Sequence, residues 1–193
     1  MSASGGVDRL VVIDGQSLNG GQGFGVEESW PYKVFEGVVP RADVWRPGTG
    51  WVDLAATRHE RVDPMARRAE VTVLSMNGGS NDMLGGESGA NTYAVQQAYC
   101  AAAKAAGFDL VVNFTLLPST VITGDMESER QTLNGLVVVN DGGPFDGVVD
   151  LTRHADLNDP SGSLFFDGLH LLPKGYTEVA DLARPVFFDL LGL

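Results

Sequence analysis

The stretch Val11-Val12-Ile13-Asp14-Gly15-Gln16-Ser17-Leu18-Asn19-Gly20-Gly21 (VVIDGQSLNGG) passes from a β-branched apolar run straight into glycines and a single hydroxyl. An apolar run that stops at a glycine reads as a strand, here over 8–14. Because its apolar positions are consecutive rather than alternating, both faces of that strand are buried, the pattern of a parallel sheet. In open parallel sheets ligands bind at the carboxyl ends of the strands, so the loop that follows is where chemistry is sought first.

Similar runs recur at AEVTVLSMN (69–77), FDLVVNFTLL (108–117) and FDGVVDLT (145–152), with ADVWRP (42–47) as a shorter candidate. Helical patterns fall between them. NTYAVQQAYCAAAKAAG (91–107) is alanine-rich, with Asn91 as its cap and Gly107 as its stop. SWPYKVFEGV (29–38) opens on a Ser29 cap with Pro31 in the first turn. SERQTLNGLVVVND (128–141) reads as helical despite Gly135, and PKGYTEVADLARPVFFDLLGL (173–193) as a terminal helix kinked or interrupted at Pro185. This alternation predicts a three-layer α/β/α sandwich, a flavodoxin-like doubly wound parallel sheet of about five strands with right-handed crossovers. At 193 residues, with no repeat or linker, the chain is expected to form a single domain over 1–193.

Composition bounds the partners. The 13 basic and 25 acidic residues leave a formal charge of −12, a field that opposes phosphate-backbone contacts, so no nucleic-acid partner is expected. No apolar run reaches the roughly 18 residues of a membrane span, and the start, MSASGGVDRLVV, lacks a basic segment followed by a long apolar one. With no signal peptide, the expected setting is the cytoplasm or a larger assembly such as a phage particle; the oligomeric state is not encoded. Cys100 is the single cysteine and sits among alanines, where it is expected to pack as a small core residue. Asp43, Asp53 and Asp63 show no metal-ligand spacing, and neither a metal nor a cofactor is expected.

Three loops after strands stand out: GQSLNGGQGFG (15–25), NGGSND (77–82) and FFDGLHLLPKGY (165–176). The first is glycine-rich, yet no Gly-Lys-Ser/Thr follows, and its spacing does not give a dinucleotide fingerprint; the glycines serve equally as a wall beside a cleft. In the third, the Asp167-Gly168-Leu169-His170 spacing lets a carboxylate accept from an imidazole and fix its tautomer, leaving the other ring nitrogen as a base. A surface Asp and a helix-capping His would look the same. His59 and His154 lie in polar contexts without such partners and read as solvated or structural. Asn81 is either part of a Gly/Asn turn or an amide donor for a developing oxyanion.

Taken in order, these loops resemble the blocks of the SGNH hydrolase superfamily, the GDSL-type esterases and lipases. Gly15-Gln16-Ser17-Leu18 is similar to block I, Gly48-Thr49-Gly50 to block II, Gly79-Ser80-Asn81-Asp82 to block III, and Asp167-Gly168-Leu169-His170 to the final D-x-x-H. The resemblance implies Ser17 as nucleophile, His170 as base and Asp167 as its orienting carboxylate. It further implies an oxyanion hole of the Ser17 N–H, a block II glycine N–H and the Asn81 amide. Gly50, which precedes the turn Trp51-Val52-Asp53-Leu54, is taken as that glycine, with Gly48 the alternative. The departure is Gln16, where the eponymous motif has Asp. The expected function is a serine esterase acting on short-acyl, above all acetyl, esters of small molecules or carbohydrate. Two alternatives stay open: a catalytically inactive binding module on the same fold, and a flavodoxin-like nucleotide or flavin binder.

Overall fold

In the computed structural model the described residues are 8–140 and 143–193. Positions 1–7, which open the segment read for a targeting signal, and 141, the last of the helix expected over 128–141, lie outside them. Five strands form one parallel sheet: β1 (Arg9–Gly15), β2 (Arg41–Asp43), β3 (Val71–Asn77), β4 (Leu110–Phe114) and β5 (Gly147–Val149). Their order is β2-β1-β3-β4-β5, and every neighbouring pair is parallel. The helices are α1 (Trp30–Phe35), α2 (Trp51–Ala56), α3 (Arg58–Arg61), α4 (Ser80–Leu84), α5 (Gly89–Ala106), α6 (Asp125–Val139) and α7 (Pro173–Leu191).

Period-2 alternation along strands that are apolar on both faces produces two cores. Val11, Ile13, Val73, Val112 and Phe114 face the α1 and α7 side, where Trp30, Phe35 and Phe187 gather. Val12, Leu74, Met76 and Val111 face the opposite side, against Trp51, Tyr99, Cys100, Leu133 and Val137. Cys100 is fully buried, and desolvation pushes its thiol pKa up to about 12, so it packs as an unreactive apolar side chain.

Two helix expectations are corrected. The cap of α5 is Ser88, whose hydroxyl accepts from the Asn91 N–H; Asn91 itself lies inside the first turn. Pro185 does not interrupt α7, which runs unbroken through it. A proline inside a helix costs about 3 kcal/mol, whereas burying Tyr176, Val179, Phe187 and Leu191 is worth roughly 1.5–3 kcal/mol each. Packing therefore wins, and the carbonyl that loses its N–H partner, Asp181, is on the exposed side of the helix.

The strand order reverses between β1 and β3, and this switch point positions the site. The loops after β1 and β3 emerge side by side, stitched by the Gln16 N–H to the Asn77 carbonyl at 2.9 Å. Gly15 has a φ of +125° and presses on that carbonyl, leaving no room for a side chain. Below the junction the fully buried Asp14 carboxylate is gripped by Arg61 of α3, at 2.7 Å, and by the Tyr99 hydroxyl of α5. A buried charge is tolerated only when paired in this way.

Candidate active site

The chain turns sharply after β1 into a short 3-10 turn, Ser17–Asn19, which places Ser17 at the top of the sheet. Its Oγ lies 3.0 Å from His170 Nε2, across 153 residues of sequence. His170 Nδ1 in turn lies 2.9 Å from Asp167 Oδ2. The structure thus brings Ser17, His170 and Asp167 into one relay.

The carboxylate is fixed by its own turn. Asp167 Oδ1 accepts from the Leu169 N–H at 3.0 Å and the His170 N–H at 2.7 Å while Oδ2 meets the imidazole. Partial burial works to raise the Asp167 pKa, but the bonds from the His170 ring, the His170 N–H and the Leu169 N–H outweigh it, so the carboxyl titrates below its usual range. Gly168, at φ +76°, closes the turn against Thr120, whose N–H donates to the Gly168 carbonyl at 2.9 Å. A narrow hairpin, with Phe165 bridged to Leu171, carries the segment into α7.

On the other side of Ser17 stand the expected donors. Asn81 is not in a loose Gly/Asn turn; it is the second residue of α4, which begins two glycines after β3. One hydrogen of its amide donates to the Thr49 carbonyl at 3.3 Å, which leaves the second available and draws block II alongside. Gly50 caps α2, and its N–H, like that of Ser17, has no hydrogen-bond partner among the described residues. Gly48 is exposed, with nothing packed over its Cα. The next N–H, that of Trp51, donates to Asp82 Oδ1 at 2.8 Å.

Several residues that hold this arrangement had no assigned role in the sequence. Gln16 Oε1 accepts from the Gly79 N–H at 3.0 Å and the Asn81 N–H at 3.3 Å, and its Nε2 donates to Asp82 Oδ2 at 3.0 Å. Asn19 is buried, donating to the Asp14 and Asn77 carbonyls and accepting from the Trp30 indole. The Gln16 partners lie 63 to 66 residues away and the Asn77 carbonyl 58 residues from Asn19, so the local pattern does not announce them.

The glycines at 20–25 turn back on themselves. Gly20 N–H donates to the Ser17 carbonyl, Phe24 N–H to that of Gly21, and Gln22 N–H to the Tyr176 hydroxyl. These three N–H groups are thus turned inward, onto the loop itself and onto α7. Phe24 meets Phe166 edge-to-face at 5.4 Å, joining the loop to the histidine-bearing hairpin. One expectation for the remaining histidines is corrected: His154 does have a carboxylate partner, Glu178, at 3.1 Å, supplied by α7 from a distance in sequence. His59, largely exposed, likewise has a carboxylate in reach, that of the adjacent Glu60 at 3.7 Å. Among the described residues no group of three or more His, Cys, Asp or Glu side chains is placed to hold a metal, and no helix is long and apolar enough to cross a membrane.

No protein-family model and no curated protein matches the sequence. Solved structures do match. A member of the lipolytic protein G-D-S-L family from Veillonella parvula superposes with a TM-score of 0.79 at 16% identity, covering 93% of this chain and 98% of that one. The fold is that of the GDSL hydrolases. A carbohydrate esterase family 3 protein from Talaromyces cellulolyticus matches with a TM-score of 0.74 at 17% identity, over 95% of this chain and 98% of the other. A mutant acetyl-xylooligosaccharide esterase from Geobacillus gives 0.69 at 17% identity, over 96% and 94%. At such identities the likeness to GDSL proteins speaks for architecture.

Proposed function

We propose that the protein is a serine esterase that hydrolyses carboxylic esters, with Ser17, His170 and Asp167 as its triad. The observation that carries this reading is the unbroken relay from Ser17 Oγ to His170 Nε2 at 3.0 Å and from His170 Nδ1 to Asp167 at 2.9 Å. An Nδ1–H held by the carboxylate leaves Nε2 unprotonated and facing the hydroxyl, the tautomer a general base needs. As Ser17 Oγ bonds to the ester carbonyl carbon, His170 takes its proton. The tetrahedral oxyanion is held by the Ser17 N–H, the Gly50 N–H and the free hydrogen of the Asn81 amide. Gly50 is preferred over Gly48 because its nitrogen shares a peptide unit with the Thr49 carbonyl that the Asn81 amide meets at 3.3 Å. Collapse expels the alcohol, which receives the proton from His170. Water then gives a proton to His170, attacks the acyl-enzyme and releases the acid, returning the proton to Ser17.

Short acyl groups, acetyl above all, and a carbohydrate alcohol are the proposed substrate. Support comes from the neighbours named as a carbohydrate esterase and an acetyl-xylooligosaccharide esterase. The test is a series of p-nitrophenyl esters with parent and Ser17→Ala protein. Acetate should be turned over faster than long-chain esters, and Ser17→Ala should be inert. Rates that climb steadily with chain length would overturn the short-acyl assignment, and equal rates in the two proteins would overturn the mechanism.

A further inference from the structure

Gln16 stands where the block I motif has an acid, and its surroundings show what the amide does there. It is 3% exposed and Asp82 is 5% exposed. Three separate loops converge on this pair. Gln16 precedes the nucleophile directly. Its Oε1 accepts two block III N–H groups, Gly79 at 3.0 Å and Asn81 at 3.3 Å. Its Nε2 donates to Asp82 Oδ2 at 3.0 Å, and Asp82 Oδ1 accepts from Trp51, the residue after Gly50, at 2.8 Å. Every proposed oxyanion donor is therefore either on a residue that bonds this pair or one bond along the chain from it. Because the partners lie 31 to 66 residues apart in sequence, the pair fixes distances that no single loop sets by itself.

We propose that Gln16 is a positioning residue whose carboxamide, paired with the Asp82 carboxylate, sets the spacing of the Ser17, Gly50 and Asn81 oxyanion donors. This rests on the esterase reading of the site. The chemistry of the pair is directional. Position 16 must accept from two N–H groups and donate to a carboxylate, which an amide does at any pH and an ionised acid cannot. Two carboxylates at that separation would have to share a proton. Burial already raises the Asp82 pKa despite the Trp51 and Gln16 hydrogen bonds, and the nearby Glu87 works in the same direction. Other charged groups on the surrounding elements are engaged elsewhere. Asp14 is held by Arg61 and Tyr99, Arg130 by Glu127 and the Leu116 carbonyl, and Glu129 by the Gly89 N–H.

The polarity of the pair can be reversed, which makes it testable. Gln16→Glu puts two acids together. Asp82→Asn puts two amides together, so that whichever way they flip, one N–H faces another. The double variant restores one acceptor and one donor, with the amide now at 82. The measurement is kcat and KM on p-nitrophenyl acetate across pH for the parent, both singles and the double, with thermal melts of the same preparations. Gln16→Glu should approach the parent at the acid end, where the shared proton supplies the missing donor. Its kcat relative to the parent should then fall by about 10–100-fold as pH rises, the order of loss expected from sub-ångström to ångström misplacement of donors. Asp82→Asn should lose kcat at all pH values with little change in KM, and the double should recover most of the loss. Singles that keep the parent kcat and pH profile, or a double no better than the product of the singles, would overturn the proposal. Melts that drop in parallel with kcat in every variant would also overturn it, in favour of a purely structural role. A parent that hydrolyses no ester, with Ser17→Ala indistinguishable from it, would instead remove the esterase reading beneath it.

Discussion

The two sides of Ser17 are built in opposite ways. On the base side, Asp167 and His170 form a self-contained turn in which every contact of the carboxylate spans three residues or fewer, and the Asp167 side chain is 43% exposed. On the donor side, Gln16 and Asp82 are buried, and their contacts join the ends of β1 and β3 and the start of α2. The proposed base can thus be oriented by a short stretch of chain, while the proposed oxyanion donors depend on how three loops are packed against one another.

The largest break in this comparison is on the base side. His170→Ala removes the proposed proton acceptor and should lower kcat by about 10³-fold or more, since triad members act as a unit; steady-state kinetics on p-nitrophenyl acetate measure it. On the donor side, Asn81→Ala should lower kcat by about 10²–10³-fold with KM little changed, the loss expected for one oxyanion donor. A KM effect with kcat intact would place Asn81 in ground-state binding instead.

Gly168→Ala probes how far the base turn depends on anything beyond itself. A Cβ at 168 would enter Thr120, and φ there is +76°. Strain of about 1–3 kcal/mol should lower the melting temperature, and the shift of the hairpin should lower kcat by roughly tenfold. An unaltered melt and kcat would show the turn to be freely adjustable.

The smallest effect is on stability against pH. Burial raises the folded pKa of Asp82, so the folded state holds that proton more tightly than the unfolded chain. The associated stabilisation is present below the ordinary aspartate value of about 3.9 and is lost as pH rises through the folded pKa. The stability of the parent minus that of Asp82→Asn, from denaturant titrations, should therefore fall as pH is raised from about 4. Asp167, whose folded pKa is lowered, acts in the other sense. Its contribution is present above the unfolded value and disappears as pH falls through the folded one.

The same contrast explains what could be read in the sequence. Consecutive apolar positions announced β1, β3 and β4 because burial on both faces is a local property of the chain, whereas the short 42–47 candidate overlaps β2, Arg41–Asp43, only at 42 and 43. The Asp167/His170 spacing pointed to a carboxylate-imidazole pair because the turn that joins them is local too. In the sequence Gln16 is only a departure from a motif and Asp82 only the last residue of block III, because their meaning lies in each other. The expected break at Pro185 failed for a related reason, since a local breaker was outweighed by packing against Trp30 and Phe114 in the core. The His154 partner, Glu178, was likewise invisible without the tertiary structure.

Whether Ser17 is an activated nucleophile is read most directly by covalent labelling with a serine-reactive phosphonate followed by peptide mass spectrometry. A single adduct on the Ser17 peptide, formed rapidly in the parent, slowly in His170→Ala and not at all in Ser17→Ala, is the predicted result. An adduct on another residue, or labelling that is indifferent to both substitutions, would contradict the account.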